Sequence, residues 1–143
     1  MLKYYYSCPY RHFLKYKNWG ELYYLIVDLP PGTSDAPLTV MQVLNLDGLV
    51  VVTTPQDLAR LDAKRSINMI RKLNVDVLGI VENFTGDIFG TGAGESLSQE
   101  LDLPFIGTLE LRSDYRDSTR PAVLNSPLVA AEYENIAAVL QDK

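Results

Sequence analysis

An aspartate ends an apolar run and is followed by two prolines and a glycine: Asp28-Leu29-Pro30-Pro31-Gly32-Thr33-Ser34-Asp35. No other stretch of this sequence is as well equipped for chemistry. At the carboxyl edge of a sheet, the Asp28 carboxylate is suited to hold a magnesium ion through water, because that small cation dehydrates reluctantly. The prolines stiffen the turn. Gly32 lets the backbone approach a phosphate so that its N–H senses a terminal phosphoryl group. The same residues also admit a structural role, with Asp28 capping a loop and Asp35 capping a helix that has Pro37 in its first turn.

Two other stretches invite a site and fall short. Gly90-Thr91-Gly92-Ala93-Gly94, with Glu110 further on, suggests a dinucleotide fingerprint, but the glycines follow Gly-x-Gly-x-Gly rather than Gly-x-Gly-x-x-Gly. They also stand well beyond the preceding apolar run, so the expected structure is a flexible loop leading into a helix. Cys8 and His12 are four apart, yet two ligands leave a tetrahedral metal site half empty, and Pro9 weakens a helix there.

The elements that must position these residues follow a regular alternation from residue 23 onward. Residues 23–27 are a continuous apolar run, and the largely apolar residues 49–54, 75–81 and 105–109 repeat the theme; all four predict buried strands. Between and after them, helical spacing is predicted over residues 36–44, 58–73, 94–101 and 128–140. Leu58, Leu61, Ile67, Ile70 and Leu73 are expected to share one buried face of the long helix, and Val129, Tyr133, Ile136 and Leu140 one stripe of the last. Lys64, Arg65, Arg71 and Lys72 are expected to be a solvated face, and Arg112, Asp114, Arg116 and Asp117 a polar, turn-rich segment. Strands apolar on both faces and separated by helices imply an α/β domain with a parallel sheet flanked by helices. In such sheets ligands bind outside the carboxyl ends of the strands. Residues 1–22 read as an atypical basic, Tyr-rich leader and residues 23–143 as one α/β domain.

Composition narrows the function classes. The chain has 143 residues, 47% of them hydrophobic and 22% charged, enough for an ordinary core. One cysteine and one histidine exclude an internal disulfide and a tetrahedral site built from those two types alone. The net charge is -5 despite a leader with Lys3, Arg11, Lys15 and Lys17 against Glu21 alone. So acidic a body argues against a nucleic-acid surface. With no membrane-length apolar run and no signal-peptide pattern, the expected home is the cytoplasm.

The residues as a set resemble the Mrp/ApbC branch of the MinD/ParA-type P-loop ATPases, which are iron–sulfur cluster carriers. The likeness runs through Asn18-Trp19-Gly20-Glu21-Leu22, the Asp28–Asp35 stretch, Val52-Thr53-Thr54-Pro55-Gln56-Asp57, Lys64-Arg65-Ser66-Ile67-Asn68 and Leu78-Gly79-Ile80-Val81-Glu82-Asn83. It continues through Asp87-Ile88-Phe89-Gly90 and Pro104-Phe105-Ile106-Gly107. The resemblance implies a P-loop NTPase-like fold of the MinD/ParA type. It makes Asp28 the catalytic carboxylate that helps hold magnesium, and Gly32 the glycine that reads the terminal phosphate. It makes Asn83 the residue that hydrogen-bonds adenine, a role its amide suits, although an Asn after a strand is also an ordinary turn former. Thr54, Pro55 and Gln56 resemble a segment near the nucleotide and the dimer interface.

The resemblance further implies ATP and magnesium as cofactors, a homodimer, and iron–sulfur client proteins. Two departures qualify it. No Gly-Lys pair occurs in the sequence, so the phosphate-cradling loop has no counterpart, and the expected ATPase activity of the chain alone is weak or nil. The family's first half, which contains that loop, is expected to be missing. The Cys-x-x-Cys pair that follows the strand-end Asn in family members is also missing from Asn83-Phe84-Thr85-Gly86-Asp87-Ile88-Phe89, which puts the bridging cluster in doubt. The alternative expectation is a non-catalytic remnant that serves as a binding or assembly module. In either case the uncovered edge of a parallel sheet would favour self-association.

Overall fold

The structure, a computed structural model, describes residues 18, 20–29, 40, 41 and 44–141. The chain divides into two compact units, Met1–Leu46 and Asp47–Lys143. In the first, Val40 and Met41 are helical and buried, and Leu44 N–H donates to Val40 C=O at 2.9 Å. Gly32, Cys8, His12 and the Asp35 helix start lie outside the described residues.

The second unit is β1 (Leu49–Thr53), α1 (Asp57–Lys72), β2 (Val77–Thr85), α2 (Ala93–Leu101), β3 (Phe105–Glu110), a 3-10 turn at Ser113–Arg116, α3 (Ala122–Asn125) and α4 (Pro127–Gln141). The strands form one sheet in the order β1-β2-β3, with both pairings parallel. Consecutive parallel strands need a crossover, and α1 and α2 supply it. Central β2 is buried on both faces at Ile80, Val81 and Glu82, as a helix-covered parallel strand must be. On one face Val81, Ile106 and Leu109 form a buried cluster with half-buried Val50 and, from α4, Ile136 and Leu140. Glu82, one residue on, points to the opposite face, where α2 begins.

Helix α1 begins with Asp57 and ends with Arg71 and Lys72, charges that suit its two ends. Its buried residues are Ala63, Ile67 and Ile70. Leu58 and Leu61, expected on that face, are exposed. At 3.6 residues per turn Leu58 stands half a turn round from Ile67, so the spacing excludes a shared stripe. The basic residues of α1 are not merely solvated. Arg60 and Lys64 both pair with Glu100 of α2, and Arg71 donates to Leu101 C=O at 2.6 Å, joining the two helices. Lys64 and Arg60 hold the Glu100 carboxyl below its ordinary range, the Lys64 hydrogen bond most of all.

The buried strand expected at residues 23–27 is not formed. No strand is assigned there, and Tyr23 is 100% and Ile26 91% exposed. Apolar side chains supply propensity, but a strand exists only when a neighbour's ladder takes up its N–H and C=O groups, and the three-stranded sheet does not include this run.

Candidate functional site

Asn83 lies in β2, opposite Leu109 of β3, and is half-buried. The strand was expected to end near it but runs on to Thr85. The ladder shifts register between Asn83 and Thr85, and Phe84 at that irregularity has φ 60°. The Oδ1 of Asn83 accepts the Phe84 N–H at 2.9 Å, which fixes the amide plane. Its Nδ2 has no hydrogen-bond partner among the described residues.

One residue earlier, Glu82 is fully buried. Its Oε1 accepts the Gly94 N–H at 2.9 Å, and its Oε2 accepts the Gly92 N–H at 2.9 Å and the Thr91 hydroxyl at 3.3 Å. The two N–H donors belong to the residue that caps α2 and to its second residue, whose N–H groups are unpaired within the helix. The 90–94 segment is therefore clamped to the sheet rather than the flexible loop expected from its glycines. A pyrophosphate at this helix start would have to displace a built-in carboxyl, so the structure gives the dinucleotide reading no opening. Gly94 is required by the clamp, because a Cβ there would stand 2.8 Å from the Glu82 Cβ. Glu82 escaped the sequence reading; the available signal was a single acid inside an apolar run with a glycine cluster ten residues on.

At the end of β3, Leu111 N–H donates to Thr85 C=O at 2.9 Å, so the segment that follows starts beside the end of β2. Arg112 there bridges Glu110 at 2.6 Å and Glu132 of α4 at 2.8 Å. The Glu132 hydrogen bond raises the Arg112 guanidinium above its ordinary value. The second Glu132 oxygen, Oε2, is buried without a hydrogen bond among the described residues. Burial, together with Tyr133 and Glu132, pushes the Tyr115 hydroxyl up to about 12. At the carboxyl end of β1, Thr54 donates to the Gln56 side chain immediately before α1.

Asp28, by contrast, is exposed and lies outside any strand, in the first unit. Asn83 belongs to the second. Among the described residues no group of three or more His, Cys, Asp or Glu is arranged to hold a metal, and no helix is long and apolar enough to cross a membrane.

The family of ParA type described as NUBPL iron-transfer P-loop NTPase matches residues 8–141. The chain belongs to this family. An iron–sulfur cluster carrier protein of Synechocystis is 42% identical over 139 residues, covering 90% of this chain and 38% of that protein. One of Methanocaldococcus jannaschii is 39% identical, covering 93% of this chain and 51% of that protein. The mouse iron–sulfur cluster transfer protein NUBPL is 39% identical, covering 80% and 40%. The chain thus spans about half or less of the length of these relatives. Among solved structures, a nucleotide-binding protein of Archaeoglobus fulgidus in complex with ADP superposes with a TM-score of 0.64 at 41% identity, covering 73% of this chain and 47% of that one. The parallel sheet with flanking helices is therefore the P-loop NTPase fold of a ParA-like nucleotide-binding protein.

Proposed function

We propose that this chain is an adenine-nucleotide-binding member of the iron–sulfur cluster carrier family, with its base-recognising elements at the carboxyl ends of β2 and β3. The observation that carries the reading is the Asn83 amide. Its Oδ1 accepts the Phe84 N–H, and its Nδ2 has no hydrogen-bond partner among the described residues. An amide so held offers a donor and a second acceptor lone pair to the edge of a purine. The solved relative that contains ADP supports the same ligand class.

Asp28 is proposed to hold magnesium through water, and Gly32 to contact the terminal phosphate. With no Gly-Lys pair in the sequence, the chain alone has little to stabilise the charge of phosphoryl transfer, and turnover is weak or nil. The iron–sulfur cluster carrier relatives support clients that receive such clusters, and a cytoplasmic site of action is part of the same proposal. The clusters would be cargo, and Cys8 is the only thiol of the sequence, so carriage through paired cysteines after Asn83 has no donors here.

The test is titration calorimetry of the full chain with magnesium ATP. Micromolar binding that Asn83→Ala weakens, with little or no phosphate release, supports the proposal; no binding at millimolar nucleotide overturns it. A second reading, a non-catalytic assembly module that self-associates, draws support from exposed Tyr23, Tyr24, Leu25 and Ile26, since contiguous exposed apolar groups mark interaction surfaces. Sedimentation showing a monomer at all concentrations would remove it.

A further inference from the structure

We draw no further inference here: the strongest candidate, the apolar surface patch at the carboxyl end of β2 where Phe84, Ile88 and Phe89 stand exposed, carries nothing because nothing in the structure shows what covers it.

Discussion

Replacing Glu82 by glutamine tests whether the clamp on α2 organises the carboxyl end of β2. The change is nearly isosteric, but one carboxyl oxygen becomes an NH2 group. Because Oε1 and Oε2 each accept a backbone N–H at 2.9 Å, either amide orientation turns a donor toward the N–H of Gly92 or of Gly94. A buried donor left unsatisfied costs about 1–3 kcal/mol, and Gly94 and the Glu82 side chain are both buried. Glu82→Gln should therefore destabilise the fold by about 1–3 kcal/mol. Glu82→Ala, which frees both N–H groups and leaves a cavity, should cost more, on the order of 3–5 kcal/mol. Urea unfolding gives the free energies, and amide hydrogen exchange at Gly92 and Gly94 locates the loss. A Glu82→Gln protein within about 0.5 kcal/mol of wild type, with unchanged exchange at both glycines, would refute the reasoning.

Two further outcomes follow from the same geometry. A Cβ at Gly79, which has φ 155°, would meet the Pro104 carbonyl oxygen at 2.6 Å, whereas one at Gly94 meets side-chain atoms, at 2.8 Å for Glu82 Cβ and 3.1 Å for Phe105 Cε2. Gly79→Ala should thus be the more destabilising of the two, each by about 1–3 kcal/mol, as read by urea midpoints. The Tyr115 hydroxyl, pushed up to about 12 from an ordinary 10.0 chiefly by burial, binds its proton more tightly in the folded chain. The stability it contributes is complete below pH 10.0 and is lost as the pH climbs toward about 12. Tyr115→Phe should flatten that alkaline slope, and an unchanged slope would contradict the assignment.

Much of the second unit was legible in the sequence because its strands are apolar on both faces, a pattern that leaves little choice but a covered parallel sheet. The three strands and the helices that cross between them stand close to their expected places. What failed has identifiable causes. The run at residues 23–27 is as apolar and strand-prone as β1, but composition carries no information about which ladder is available to pair with it. Leu58 and Leu61 are apolar and adjacent in register to nothing buried, so hydrophobicity alone placed them wrongly where angular position decides. Of the charges expected to be solvated on α1, Arg65 and Lys72 are exposed, whereas Lys64 and Arg71 also reach Glu100 and the Leu101 carbonyl, partners on another helix that spacing within α1 does not reveal.

The site was less legible than the fold. Asn83 stands in β2 as expected near its carboxyl end, yet the sequence gives no hint that its side chain is already engaged with the next backbone N–H. Glu82 and the glycine-rich segment were visible separately. Only the sheet shows that they belong together, and that the helix start is filled by the chain's own carboxyl.

The most direct measurement is a titration of isotope-labelled full chain with magnesium ADP, followed by the Asn83 side-chain amide and the Phe84 and Thr85 backbone signals. Saturable shifts centred on these three residues, lost in Asn83→Ala, are the predicted result. An absence of saturable shifts at millimolar ADP, or shifts confined to other regions of the chain, would contradict the account.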